Sequence, residues 1–189
     1  MSFTKFLPVA LTVGVLAAIS VLGWQYFSDA SRFPWLQIWP VFITWGLYFV
    51  ADAKIGRLHK EIIGITGGII FGYLTLLVAF APSVQNALGG TWSLPITVFV
   101  VATIIVLLEL TDWFELASVY FIAYAGYFAY VFGKFSGGAG NAADMFYFWV
   151  PMMVGLAFAV VTALLRTRLL NAEGVYGSAQ KTVYEKEVN

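Results

Sequence analysis

Long apolar runs, broken at short intervals by polar or turn-forming residues, dominate the chain. The first extends from about Phe6 to Tyr26 and the second from Trp35 to Ala51. Between them lie Ser28, Asp29, Ser31, Arg32 and Pro34, residues that favour a turn. A third, Ile62 to Ala81, follows the charged stretch Asp52, Lys54, Arg57, His59, Lys60 and Glu61, which is expected to lie in water. Polar but uncharged Pro82 to Gly90 leads to a fourth, Trp92 to Leu110. Only a tight acidic turn holding Glu109, Asp112 and Glu115 parts it from the fifth, Trp113 to Phe132. The connection Lys134 to Asp144 carries Gly137, Gly138 and Gly140 and is expected to be mobile; a sixth run covers Met145 to Leu165.

An α-helix needs about 20 apolar residues to cross a bilayer core, and each run approaches that length. The expected fold is therefore all-α: a six-helix transmembrane domain over residues 1–166, followed by a cytoplasmic tail over 167–189. The tail has no sustained apolar period and is expected to be partly disordered.

Composition agrees. Of 189 residues 61% are hydrophobic and only 11% charged, and the mean hydropathy is +0.86, a surface too apolar for water. Lys5 precedes the first run as in a signal peptide, but the run is too long and lacks a small-residue cleavage site, so it is expected to remain as a span. Lysine and arginine resist translocation. With the N-terminus inside, Lys5, Lys54, Arg57, Lys60, Arg166, Arg168, Lys181 and Lys186 face the cytoplasm, against Arg32 and Lys134 outside. Both termini are thus expected in the cytoplasm.

The formal net charge is zero, which gives no reason to expect nucleic acid as a partner. With no cysteine and one histidine, His59, the sequence offers no disulfide, no thiolate nucleophile, no metal site and no cofactor ligand set. No Ser-His pair or paired carboxylate falls at membrane depth, so no catalytic residue is expected and the protein is read as a non-enzyme.

The two halves of the chain resemble each other. Leu7-Pro8-Val9-Ala10-Leu11-Thr12-Val13 sets beside Leu94-Pro95-Ile96-Thr97-Val98-Phe99-Val100, each proline expected in the opening turn of its helix. Phe42-Ile43-Thr44-Trp45-Gly46-Leu47-Tyr48-Phe49 aligns without a gap to Phe121-Ile122-Ala123-Tyr124-Ala125-Gly126-Tyr127-Phe128, and Gly72 falls near Gly155. Three spans per half, an odd number, would make a 3+3 inverted repeat. Chance alignment of helices drawn from a small apolar alphabet is the alternative.

Gly64, Gly68 and Gly72 recur every fourth residue on the third span, as do Gly155, Ala159 and Ala163 on the sixth; such stripes let a neighbouring backbone approach. They suit packing within the bundle, a meeting of the third and sixth helices at the repeat axis, or an oligomer contact. Aromatic side chains crowd the second and fifth spans. Trp45, Tyr48, Tyr120, Tyr124 and Tyr127 are candidates for an aromatic constriction with hydroxyl donors, suited to a small neutral solute; core packing and an interfacial belt are the plainer reading. Glu109, Asp112 and Glu115 form a cytoplasmic acidic corner, readable as a cation vestibule or as a solvated turn. His59, between Arg57 and Lys60, reads as a surface residue.

Ala10 to Ala18, Trp39 to Phe49 and Gly64-Ile65-Thr66-Gly67-Gly68-Ile69-Ile70-Phe71-Gly72, in that order and spacing, resemble the small bacterial inner-membrane proteins grouped as domain of unknown function family 1097. The resemblance covers about Leu7 to Leu165. It implies a multi-span protein of the bacterial inner membrane and supplies no substrate or catalytic residues. Two functions are expected on the residues alone: a channel or facilitator for a small neutral solute, or a non-catalytic accessory or scaffold subunit of a larger membrane complex. The bilayer is a partner in either case, with a homo-oligomer or larger assembly expected.

Overall fold

The computed structural model describes residues 2–27, 33, 35–135 and 140–181. The expected first turn, Ser28, Asp29, Ser31, Arg32 and Pro34, lies outside these residues, as do Gly137 and Gly138 and the tail beyond Lys181. Among the described residues the chain is all-helical. Helix α1 spans Phe3–Phe27, α2 Trp39–Val50, α3 Leu58–Ala79, α4 Pro82–Leu88, α5 Gly90–Leu108, α6 Ala117–Phe132 and α7 Ala142–Ala172, with 3-10 turns at Ile55–Arg57 and Gly177–Gln180.

Local chemistry sets these limits. Pro40 and Pro82 sit in the first turns of α2 and α4, where a missing N–H costs nothing. Asp52 and Ala53 take positive φ, 73° and 50°, immediately after α2, a left-handed conformation that no helix can continue through. Gly89, at φ 78°, separates α4 from α5. At the start of α7, Asn141 and Asp144 exchange side-chain and backbone hydrogen bonds in a capping box.

Four helices, α1, α3, α5 and α7, are long and apolar enough to cross a membrane; α3 does so together with the turn before it. Helices α2 and α6 are apolar but short. At 12 residues α2 is about 18 Å long and at 16 residues α6 is about 24 Å, against a hydrocarbon core of about 30 Å. These two short helices are nevertheless the most enclosed. Helix α6 packs along α3 and α2 packs along α7, while α3 and α7 also touch each other; α5 lies outside α3 and α1 outside α7. The outer pair expose most of their apolar side chains, as lipid-facing helices do.

Several boundaries differ from the sequence-based expectation. The apolar stretch before α2 is not helical, and the fifth run becomes helix only at Ala117. The segment after the third span forms a helix of its own, α4. Pro8 and Pro95 lie inside α1 and α5, a turn later than expected. Helix α7 continues past Leu165 to Ala172, so the boundary at 166 cuts an unbroken helix. Nor is the described part of the tail loose: Leu170 and Val175 are buried with Val9 of α1, and Gln180 donates to Asn171 Oδ1 and the Val175 carbonyl.

Candidate functional site

The glycine stripe of α3 is a contact surface for α6. A side chain at Gly64 would strike Val119, one at Gly67 the ring of Tyr120, one at Gly68 the Tyr120 carbonyl, and one at Gly72 the ring of Tyr127. On α7, Gly155 does the same for α2, where a Cβ would meet the backbone of Val41. Ala159 is fully buried in the core, and Ala163 packs at its edge. Both stripes therefore serve packing within the bundle.

The aromatic candidates divide into two groups. Trp45, Tyr48 and Tyr127 share the main core cluster, whereas Tyr120 and Tyr124 join Ile105 in a second, where α3, α5 and α6 meet. Trp45 stacks on Phe42, with centroids 6.0 Å apart, and lies 5.3 Å from Phe158. Tyr124 shares a hydrogen bond of 3.1 Å with Thr75. The hydroxyls of Tyr48, Tyr120 and Tyr127 are buried with no hydrogen-bond partner. Leaving a buried hydroxyl unpaired costs about 1–3 kcal/mol.

The acidic corner is tied down by the charged stretch after α2. Lys60, only 13% exposed, donates to Asp112 Oδ1 at 3.0 Å and to Glu115 Oε1 at 2.9 Å; Arg57 donates to the same Glu115 oxygen at 2.7 Å. Arg57 also lies 3.5 Å from Asp52. Hydrogen bonds from Lys60 first, and from Arg57, hold the Glu115 carboxyl below the usual carboxylate range. Glu109 is exposed. His59 is exposed and meets the edge of Trp113 at 5.6 Å.

Sequence reading placed Glu61 in an aqueous loop. It instead lies in the first turn of α3 with no exposed surface, and neither carboxylate oxygen has a hydrogen-bond partner. The signal was its spacing: Glu61 precedes Gly64, Ile65 and Gly68 on the buried face of α3 at helical intervals. Among the described residues no group of acids and histidines is arranged to hold a metal.

An all-helical bundle whose longest helices are apolar, whose outer helices expose aliphatic and aromatic side chains, and whose charges cluster at helix ends is a multi-pass membrane protein. The chain belongs to the family described as "Protein of unknown function (DUF1097)", whose model matches residues 10–167. No curated protein and no solved structure matches it.

Proposed function

We propose that this protein is a facilitator for a small neutral polar solute, without a chemical step of its own. In this reading it is built as two inverted halves of three spans, in a bacterial inner membrane with both termini in the cytoplasm. The inverted repeat is supported by packing. A single displacement along the chain carries the buried residues Ile65, Gly68, Ile69, Gly72 and Thr75 of α3 onto Met152, Gly155, Leu156, Ala159 and Thr162 of α7, all buried. Thr75 donates to the Phe71 carbonyl and Thr162 to that of Phe158, its counterpart. The ungapped match of α2 with α6 carries every buried position of α2 onto a buried position of α6, Tyr48 onto Tyr127 among them. The crossings correspond as well, since Gly68 faces the backbone of Tyr120 and Gly155 that of Val41. This register pairs Gly155 with Gly68 rather than with Gly72.

Short or interrupted helices at corresponding places in two inverted halves mark the binding region of many transporters, and α2 and α6 are such a pair. The observation that carries the reading is that Tyr48 and Tyr127, equivalent by this match and both at zero exposure, present hydroxyls that bond to nothing among the described residues. A solute with its own donors and acceptors, such as urea, a short amide, ammonia or glycerol, would satisfy them. Liposomes containing the protein should take up one or more of these solutes faster than empty vesicles. Tyr48→Phe and Tyr127→Phe should each slow uptake several-fold without loss of folded protein. Uptake equal to that of empty vesicles across the panel would overturn the proposal.

A further inference from the structure

The displacement that carries Gly68 to Gly155 carries Glu61 to Phe148. Phe148 is fully buried, with its ring against Tyr127 at 6.2 Å and against the site of Gly126. At the corresponding place in the other half, α3 offers a carboxyl group, close enough for its charge to act on the Tyr48 hydroxyl. One half thus fills the slot with a phenyl ring. The other fills it with an acid whose two oxygens and whose tyrosine neighbour all lack hydrogen-bond partners.

We infer that Glu61 is a proton-binding site, occupied by a proton when the protein rests in the membrane and able to exchange it from the cytoplasmic end of the bundle. The physical case rests on solvation. An ionised carboxylate taken out of water without hydrogen bonds or a contacting cation is far costlier than the neutral acid, so such a group takes up a proton instead. The cations at this junction are engaged elsewhere: Arg57, whose charge reaches Glu61, bonds to Glu115 and pairs with Asp52, and Lys60 bonds to Asp112 and Glu115. From α7, Arg166 lines a cleft after α2 with Asp52 and Lys181. Tyr48 is the titratable group that α2 contributes. Glu61 lies in the first turn of α3, two residues along the chain from the exposed His59, so only a short distance separates it from water. The inference rests on burial and on comparison of the two halves, and stands whether or not a solute passes.

Two measurements test it on the intact chain in lipid. Infrared spectra at neutral pH should contain a protonated-carboxyl C=O band that is lost in Glu61→Gln and shifts when the sample is exchanged into deuterated buffer. Dicyclohexylcarbodiimide adds across a neutral acid. The carboxyl oxygen bonds to the central carbon, the acid proton passes to a nitrogen, and the acyl group then migrates to nitrogen, with no leaving group. Peptide mapping should find this adduct on Glu61 and not on Asp112 or Glu115. Glu61→Leu, which gives this half an apolar residue where the other half already has one, should fold, remain unlabelled at this position and lack the band. If wild type and Glu61→Gln have the same C=O band, the inference fails, whatever the reagent does.

Discussion

Glu115 shows how much one side chain can govern. Its carboxyl accepts from both Lys60 and Arg57, so it ties the start of α3 to the turn before α6. Because its folded pKa is depressed, with the Lys60 hydrogen bond the leading cause, the charged form is favoured in the folded protein. That stability is present above the unfolded value of about 4.3 and is lost as pH falls through the lower folded value. Thermal unfolding in detergent should therefore show Glu115→Gln melting below wild type at neutral pH, with the gap closing in acid below about pH 4. A gap unchanged in acid would mean that the pairing contributes nothing. At this scale the sequence exposed part of the site. The tyrosines and acids were visible as residue types, but which hydroxyls lack partners depends on contacts between distant segments. Glu61 was hidden by its neighbours, since a run from Asp52 to Glu61 reads as water-facing until the helical spacing from Glu61 to Gly68 is given more weight than charge.

Among the elements, glycine marks where two backbones touch. At Gly68 and Gly155 an added Cβ would run into the carbonyls of Tyr120 and Val41, backbone atoms that cannot turn aside as a side-chain tip would. Gly68→Ala and Gly155→Ala should each lower stability by about 1–3 kcal/mol, the usual cost of overpacking a core. Gly46→Ala, with nothing within 4 Å, should leave it nearly unchanged. Equal effects at all three positions in a denaturation series would refute the close approach. The existence and order of the main helices were readable from hydropathy, because lipid demands long apolar runs. Their ends were not. Hydropathy marks where a helix leaves the apolar layer, not where its hydrogen bonds stop, so α7 runs on through Arg166, Thr167 and Arg168, residues that continue a helix without belonging in lipid. Conversely, Trp35, Leu36 and Ile38 are apolar or aromatic enough to count as span, yet α2 begins only at Trp39, with Pro40 in its first turn.

Across the whole molecule, the main contacts run between halves and not within them. Helix α2 lies along α7 and α6 along α3, so the two helices of the first half that enter the core, α2 and α3, find their principal partners after Ala81. Sequence patterns could not show that the two parts of the chain interlock, because periodicity records that a face is buried without naming what covers it. The consequence is that neither half has a complete core. Cut after Ala81, the fragment ending there would keep the glycine stripe of α3 without Val119, Tyr120 and Tyr127 to cover it. The remainder would keep Gly155 without Val41. Fragments 1–81 and 82–189, expressed together, should therefore copurify in mild detergent as a one-to-one complex, since the cut falls between α3 and α4 and touches only the bonds that Val84 and Gln85 make to Ala81 and Ala79 at the start of α4. Expressed singly, each should aggregate or be degraded. A first fragment that is monodisperse alone would mean that its helices meet each other more fully than the packing of α3 on α6 allows, and the interlocked arrangement would have to be abandoned.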